Sequence, residues 1–285
     1  MNILLIILVI ALAILLSVLL FLFLNKDKEL LTLVAKYDEL EKICRSEKKR
    51  YALRDDWTAM VVHELRAPLA VIKGSADLVI RSSAELSNDQ KNTLLTQIET
   101  GAIEMLDLVN DLLDMAKIDS GRFGIKQQMG DLGKLLQDEV AYFTALAAEH
   151  EITFSLSLAS DLPKVYFDHD RIKQVINNLL SNALKFTDPK TSVLISARQR
   201  DKRFVEIIVS DVGVGVSDNL KTKLFNKFVQ IDEPHNGHGR VDKGSGLGLA
   251  ISKGIIEAHG GTIWIEDNKP KGAKFVFTLP LVGLS

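Results

Sequence analysis

An uninterrupted apolar segment at the start of the chain constrains its structure more than any other feature. Residues 3–24 carry no charged side chain, and Ser17 is their single polar residue. As a helix, this segment would be about 33 Å long, enough to cross a bilayer core of about 30 Å. We therefore predict an uncleaved membrane anchor in residues 1–25. The alternative is a cleaved signal peptide, which would need a basic start, a shorter apolar run and a small-residue cleavage site.

The distribution of charge predicts the orientation of this anchor. No Lys or Arg precedes it, whereas Lys26, Lys28 and further basic residues follow it up to Arg50. By the positive-inside rule, we expect a single-pass cell-membrane protein whose remaining chain is cytoplasmic and which has no external sensory domain. A net charge of −2 gives no general attraction to nucleic acid.

Residues 26–56 contain no Gly or Pro, which favours one continuous helix. Leu30, Leu33, Tyr37, Leu40 and Cys44 recur at spacings of three and four, as in a coiled-coil seam. We predict a parallel signalling helix in a dimer, with a solvated amphipathic linker as the alternative. Cys44 is the only cysteine, so an intrachain disulfide is excluded. Three roles for Cys44 stay open: packing in the helix seam, palmitoylation and redox sensing.

Two apolar stripes with a period near 3.5 predict an antiparallel helical hairpin in residues 57–121. The first includes Leu65 and Leu69, and the second includes Met105 and Leu112. Polar residues 81–90 separate them, and Ser87 or Asn88 can cap the second helix. Two such helices with narrow stripes cannot enclose a core alone. We therefore expect a homodimer in which two hairpins form a four-helix bundle.

The run His-Glu-Leu-Arg-Ala-Pro-Leu at residues 63–69 resembles the phosphoacceptor motif of the histidine-kinase dimerisation domain. The resemblance implies that His63 is phosphorylated and that Glu64 accepts the proton of its other ring nitrogen. Pro68 lacks an N–H, which predicts a bend in the helix beside the histidine. Ala67 stands where the family often has Thr or Asn, so we expect weak phosphatase activity.

Residues 122–285 alternate helical and strand-like patterns, which predicts an α+β layer domain. Asp131 can cap a helix reaching about residue 149, and two further helices are predicted at residues 169–185 and from the Gly-rich segment to His259. The predicted strands lie at residues 152–158, 164–167, 192–200, 204–212, 262–266 and 273–279.

Three segments of this half carry polar or glycine signals that a core does not explain. Asn178, Asn182 and Lys185 share one helical face at spacings of four and three. Hard oxygen ligands beside a cation suit a magnesium–triphosphate site, although a solvated polar face is the alternative. The other two segments are Asp-Val-Gly-Val-Gly at residues 211–215 and Gly-Ser-Gly-Leu-Gly-Leu at residues 244–249.

Each glycine segment has a physical interpretation. The Asp211 carboxylate, at the end of a strand, can accept a hydrogen bond from an adenine amino group while the glycines let the backbone come close. Glycines that open a helix expose backbone N–H groups to phosphate. Neither segment has the Gly-Lys-Ser/Thr ending of a P-loop or the acidic residue of a dinucleotide fold.

The order of these three segments resembles the ATPase domain shared by gyrases, heat-shock-90 chaperones, histidine kinases and mismatch-repair proteins. Leu-Phe-Asn-Lys-Phe at residues 224–228 resembles the phenylalanine box of the kinase branch. The resemblance covers residues 57–281. It implies an ATP-binding α/β sandwich in residues 122–285 after the dimerisation domain.

The resemblance also implies the cofactors, ATP and Mg²⁺, and the residues that hold them. Asn182 would ligate Mg²⁺, Phe186 would pack on adenine, and a lid at residues 231–243 would close the site. Val212 replaces the usual Asn of the Asp-x-Gly-x-Gly box, which weakens a water or phosphate contact. The expected nucleotide-binding residues are Asn178, Asn182, Lys185, Phe186, Asp211, Gly213, Gly215, Arg240, Lys243, Gly244, Gly246, Leu247 and Gly248.

The resulting hypothesis is a membrane-anchored sensor histidine kinase. It would phosphorylate His63 with ATP and pass the phosphoryl group to an aspartate of a separate response regulator. A non-catalytic ATP-binding dimer is the alternative. A clamp of the gyrase or chaperone type is disfavoured because the chain has no transducer domain and would not need His63. The input signal, and whether a subunit phosphorylates itself or its partner, stay open.

Overall fold

The computed structural model describes residues 16–17, 36, 40–41, 44, 60–82, 85–229 and 245–281, and divides the chain into two units at His63 and Glu64. The described residues of the first unit are all helical. Most of the predicted anchor and signalling helix lies outside the described residues. Among the helices that are described, none is both long enough and apolar enough to cross a membrane.

The second unit begins with a helical hairpin, as predicted. Helix α1 comprises residues 64–81, and helix α2 is Asn88–Asp119. Ser87 caps α2: its hydroxyl accepts from the Gln90 backbone N–H, and the Gln90 side chain accepts from the Ser87 N–H at 2.9 Å. Between the helices, the Ser75 hydroxyl donates to Gln97 at 2.9 Å. The bend expected at Pro68 stays a prediction.

An α/β layer follows the hairpin. Its helices are α3 (Leu132–Ala147), α4 (His169–Phe186), the short α5 (Asp218–Lys221) and α6 (Gly248–Ala258), with a 3₁₀ turn at Ala148–His150. Its strands are β1 (Gln128–Gly130), β2 (Thr153–Leu158), β3 (Val165–Phe167), β4 (Ser192–Gln199), β5 (Phe204–Ser210), β6 (Ile263–Asp267) and β7 (Ala273–Pro280). Strands β2, β4, β5, β7 and β6 form one sheet in that order, with only β2 and β4 parallel, while β1 pairs with β3.

Most predicted elements of the layer agree with the structure to within two residues. The Asp131 side chain caps α3 as predicted, accepting from the Lys134 N–H at 2.9 Å. Strand β1 and helix α5, which are three and four residues long, have no predicted counterpart. Elements of this length carry little periodicity, although the equally short β3 has a predicted counterpart at residues 164–167.

Helix α4 is amphipathic, and its two faces have different roles. One face is fully buried against the sheet and includes Ile172, Ile176 and Leu179. The opposite side carries Arg171, Asn178 and other polar residues that the core does not cover. Burial of the apolar face therefore fixes the direction in which the polar face points.

The N-terminus of α4 is held by three hydrogen bonds centred on Asp168. The Asp168 carboxylate caps the helix by accepting from the Arg171 N–H at 3.3 Å, and it accepts from the Lys126 N–H at 2.7 Å. The Asp168 N–H donates to Nε2 of the buried His259 at 3.0 Å. These bonds tie α4 to the end of α6.

Candidate functional site

A cavity of about 270 Å³ opens beside the polar face of α4. Its walls come from α2, α4, the loop after β5, the start of α6 and strand β7. The residues that line it are Asp111, Asn178, Ser181, Asn182, Lys185, Phe186, Asp211, Val214, Gly215, Val216, Leu224, Val229, Ser245, Gly246, Gly248, Leu249, Ala273 and Phe275.

Two asparagines of α4 orient each other along the cavity wall. Nδ2 of Asn178 donates to the Ser252 hydroxyl of α6 at 2.9 Å, and Nδ2 of Asn182 donates to Oδ1 of Asn178 at 3.4 Å. Among the described residues, Oδ1 of Asn182 accepts no hydrogen bond. It is therefore available to ligate a cation.

Asp211 contributes a buried carboxylate to the wall of the same cavity. Its Oδ1 accepts from the backbone N–H groups of Gly213 at 2.9 Å and Ala273 at 3.0 Å. Burial raises the pKa of Asp211, and these two hydrogen bonds partly oppose that shift. Oδ2 accepts no hydrogen bond from the described residues. The arrangement fixes the carboxylate and leaves one oxygen for a ligand.

The glycines of the two predicted segments allow close packing around the cavity. A Cβ at Gly213 would lie 2.1 Å from the Phe186 carbonyl oxygen, and one at Gly248 would lie 2.3 Å from Oδ1 of Asn178. Gly246 has a φ of +66°, a conformation that L-residues adopt with strain. Side chains at these positions would displace the residues that form the cavity.

The predicted phenylalanine box lies beside the same cavity. Leu224 is buried and lines the wall. The N–H of Phe228 donates to the carbonyl of Gly246 at 2.9 Å, which joins the box to the segment that opens α6.

The structure brings together most of the predicted nucleotide-binding residues. The residues of that set that line the cavity are Asn178, Asn182, Lys185, Phe186, Asp211, Gly215, Gly246 and Gly248. Gly213 packs behind Phe186, and Leu247 is buried in the core, so neither lines the cavity. Arg240, Lys243, Gly244 and the predicted lid lie outside the described residues.

The two predicted catalytic residues fall in different units. His63 is an exposed helical residue at the end of the first unit. Glu64 is half-buried and begins the second unit.

Several cavity residues were not singled out from the sequence. Ser181 lies three residues after Asn178 on α4, so the helical spacing contained a signal for it. Ala273 and Phe275 come from β7, a strand distant in the chain, which periodicity cannot connect to α4. Asp111 comes from α2 of the hairpin, and no sequence signal related it to the cavity.

The chemistry of the cavity fits a magnesium–nucleotide complex. Its wall contains the amide groups of Asn178 and Asn182, the buried Asp211 carboxylate, and the Lys185 ammonium, which lies 5.7 Å from the centroid of the Phe186 ring. Within the described ranges, no group of three or more His, Cys, Asp or Glu side chains could hold a metal ion. A cation with few protein ligands, completed by phosphate and water, suits Mg²⁺.

Comparison with known proteins gives two matches to family descriptions. Residues 53–121 match the "His Kinase A (phospho-acceptor) domain", and residues 167–283 match the "Histidine kinase-, DNA gyrase B-, and HSP90-like ATPase". The matched ranges include His63, both asparagines and both glycine segments. Together they span more than half of the chain.

Individual relatives include proteins named as histidine kinases. The signal transduction histidine-protein kinase BaeS of Escherichia coli is 34% identical over 233 residues, which is 82% of this chain and 48% of BaeS. The crystal structure of full-length ShkA in complex with AMPPNP is 30% identical, with a TM-score of 0.61 over 81% of this chain and 46% of ShkA. The structure of histidine kinase ThkA in complex with response regulator protein TrrA is 26% identical, with a TM-score of 0.59 over 84% of this chain and 65% of that chain.

Across the curated relatives compared, this chain spans between 16% and 48% of their length. The hairpin, the five-stranded sheet and the cavity agree with the two family matches. The chain therefore belongs to the histidine kinases of two-component signalling.

Proposed function

We propose that this protein is an ATP-dependent kinase that phosphorylates its own His63 and then donates the phosphoryl group to an aspartate of a separate response regulator. The observation that carries the proposal is the cavity, where Asn178, Asn182 and Lys185 meet Asp211 and the glycine segments. A cavity of this composition accommodates both the base and the phosphates of ATP.

Within the cavity, the polar residues and Phe186 each have a proposed partner on the nucleotide. Oδ2 of Asp211 accepts from the adenine amino group, and Phe186 packs on the base. Asn182 ligates Mg²⁺, and Lys185 contacts phosphate. Bound Mg²⁺ neutralises charge on the phosphate oxygens. Arg240 and Lys243 are proposed to contact the γ-phosphate, with Gly244 as a hinge of the lid.

The proposed reaction is an in-line phosphoryl transfer. A ring nitrogen of His63 forms a bond to the γ-phosphorus while the bond to the β–γ bridging oxygen breaks, and ADP leaves. Glu64 accepts the proton of the other ring nitrogen. Catalysis then depends mainly on positioning and on neutralisation of charge.

The exposed apolar surface of the hairpin supports a homodimer. Leu69 and Leu78 of α1 are 52% and 51% exposed, and Ile103 and Leu106 of α2 are 53% and 63% exposed. A second copy of the hairpin would cover this surface in a four-helix bundle. The structure of histidine kinase ThkA in complex with response regulator protein TrrA supports a separate response regulator as the partner.

The proposed location is the cell membrane. Residues 3–24, with no charged side chain, would form the anchor, and the basic residues after them would keep the two domains in the cytoplasm.

The test is phosphorylation of the full chain in lipid with Mg²⁺ and γ-labelled ATP. The parent should acquire acid-labile, base-stable label, and His63→Gln should acquire none. His169→Gln removes another exposed histidine and should leave labelling unchanged. Unlabelled parent that still binds ATP would instead support the non-catalytic dimer.

A further inference from the structure

The hairpin contributes one charged residue to the wall of the nucleotide cavity. Asp111 of α2 lines the cavity together with Asn178, Ser181 and Asn182 of α4. Its carboxylate is half-buried and makes no hydrogen bond or ion pair with the described residues. Within the described part of the chain, a negative charge therefore stands without a partner in the wall of the cavity proposed to hold phosphates.

An ion pair one turn further along α2 fixes the position of Asp111. The carboxylate of Asp114 is 5% exposed and binds the guanidinium of Arg171 through both oxygens, one at 3.0 Å. Gln174 also donates to this carboxylate at 3.3 Å. Arg171, Gln174, Asn178 and Ser181 follow one another on a single face of α4. Asp111 precedes Asp114 on α2, but it lines the cavity with Asn178 and Ser181, which follow Gln174 on α4. The two helices therefore run in opposite directions at this contact.

Contacts on either side of the ion pair hold α2 against the layer. The Arg171 guanidinium lies 4.9 Å from the centroid of the Phe123 ring. Ile118 packs on Gly254 of α6 so closely that a Cβ there would lie 2.5 Å from Ile118 Cδ1. Lys227, in the predicted phenylalanine box, forms an ion pair with Asp119. The last third of α2 is thus docked beside the cavity.

The surroundings of Asp111 disfavour both the ionisation of its own carboxyl group and the binding of another negatively charged group. Burial raises the pKa of Asp111 to about 6, and the carboxylates of Asp107 and Asp114 add to the shift. At neutral pH, the Asp111 carboxyl is still mostly ionised. A magnesium–ATP complex keeps a net negative charge, so it is repelled by a carboxylate in the same cavity.

We propose that Asp111, held by the Asp114–Arg171 ion pair, lowers the affinity of the cavity for nucleoside polyphosphates while α2 is docked. Nucleotide binding and docking of α2 then oppose each other. By thermodynamic linkage, a nucleotide that binds less well to the docked state also favours release of α2. Release of α2 would free the ATPase domain from the hairpin. The inference rests on the proposed nucleotide site and deepens it by assigning its regulation.

The test compares Asp111→Asn with the parent in titrations of the full chain with adenosine, ADP and ATP in the presence of Mg²⁺. Asparagine has nearly the same size, so the variant removes the charge alone. We expect ATP to bind about three- to tenfold more tightly to the variant. The gain should be smaller for ADP and absent for adenosine, which has no charge. Glu104→Gln is the matched control, because Glu104 is exposed on the same helix, does not line the cavity and is not among the carboxylates that shift the pKa of Asp111.

A second variant tests the role of docking. Asp114→Asn loosens the ion pair without changing the cavity wall, and it should raise ATP affinity in the same direction. Combining it with Asp111→Asn should give little further gain, since both act on one contact.

The outcomes separate this inference from the proposed function. Unchanged or weaker ATP binding by Asp111→Asn would overturn the inference, and weaker binding would identify Asp111 as a ligand of the metal. An equal gain for adenosine would overturn it too, because the effect would then not be electrostatic. If the parent bound none of the three ligands, the proposed nucleotide site itself would be wrong.

Discussion

The helical hairpin and the α/β layer bury their apolar residues to very different extents. In α4 of the layer, six residues are buried, and Phe277 of β7 is fully inaccessible. In the 32 residues of α2, only three are buried, and two of them, Asp114 and Met115, lie where α2 meets the layer. The layer therefore holds its own core, whereas most of the hairpin has none.

This difference indicates how each region is stabilised. Burial of apolar surface contributes about 25 cal/mol for each Å² removed from water, so the layer gains much of its stability within one chain. The apolar residues of the hairpin gain this stabilisation only when another surface covers them. Substitutions in the two regions should accordingly affect different measurements.

The largest expected effect is in the core of the layer. Phe277→Ala should lower the free energy of unfolding by about 3–5 kcal/mol, because it leaves a cavity in the core, where Phe277 is fully buried. Urea denaturation of the full chain measures the change. Met129→Ala, at a residue 59% exposed on β1, is the control and should change stability by less than about 0.5 kcal/mol. Similar effects of the two variants would contradict a layer with its own core.

Gly101, where α1 and α2 approach each other closely, should give the next largest effect. A Cβ at Gly101 of α2 would lie 2.9 Å from Ile72 Cγ1 and 3.3 Å from the Pro68 carbonyl oxygen of α1. Gly101→Val should therefore separate the helices and cost about 1–3 kcal/mol.

Gly74→Val is the matched control for this substitution. Gly74 is also helical, but no atom lies within 4 Å of its ideal Cβ position. The intrinsic helix propensities are the same in both variants, so their difference measures packing between α1 and α2. Equal melting temperatures for the two variants would contradict the close approach.

Much of this fold could be predicted from local sequence signals. The caps at Ser87 and Asp131, the helix α4 and most strands of the main sheet follow from residues that are neighbours in the chain. The common face of Asn178, Asn182 and Lys185 follows from helical spacing alone. These features depend on local geometry, which the sequence encodes directly.

The features that could not be predicted depend on contacts between distant segments. Asp111 reaches the cavity only because Asp114 pairs with Arg171, which is 57 residues further along the chain. Ala273 joins the site by donating its N–H to Asp211, 62 residues away. Neither contact leaves a periodic signal. Leu247 is predicted to bind nucleotide because it lies within a glycine-rich motif. Its side chain is instead buried in the core, which the motif alone does not indicate.

His259, which joins α6 to the start of α4, should make a smaller and pH-dependent contribution to the free energy of unfolding. Its Nδ1–H donates to the Ile255 carbonyl at 2.7 Å, and its Nε2 accepts from the Asp168 N–H, so the neutral ring fits both contacts. Burial lowers the pKa of His259 below its ordinary value of 6.5. Its contribution to stability is therefore complete above about pH 6.5 and is lost as the pH falls through the lower pKa of the folded state.

The measurement is the free energy of unfolding between pH 5 and 8 for the parent and His259→Asn. The parent should lose more stability than the variant as the pH falls. Asp111, with its pKa raised to about 6, favours the folded state at low pH in both proteins. This shared contribution cancels in the difference between the two curves, which therefore reports on His259. His169→Gln, at an exposed histidine, should follow the parent. Parallel curves for the parent and His259→Asn would contradict the proposed role of the neutral ring.

The smallest effect on a single chain is expected for Leu106→Ala in the hairpin. Leu106 is 63% exposed, so the substitution should change the stability of the isolated chain by less than about 0.5 kcal/mol. If a second hairpin covers this residue, however, removing its side chain weakens association. Sedimentation at several protein concentrations should then show a larger dissociation constant for the dimer. Its apparent stability should also depend more strongly on concentration.

Leu146→Ala is the control for association, because Leu146 is 44% exposed on α3, outside the hairpin. It should leave the dimer dissociation constant unchanged. If both variants weakened association equally, the interface would extend over the layer, and the hairpin would not be the part of the chain that depends on a partner. If neither did, another surface would have to cover the apolar face of α2.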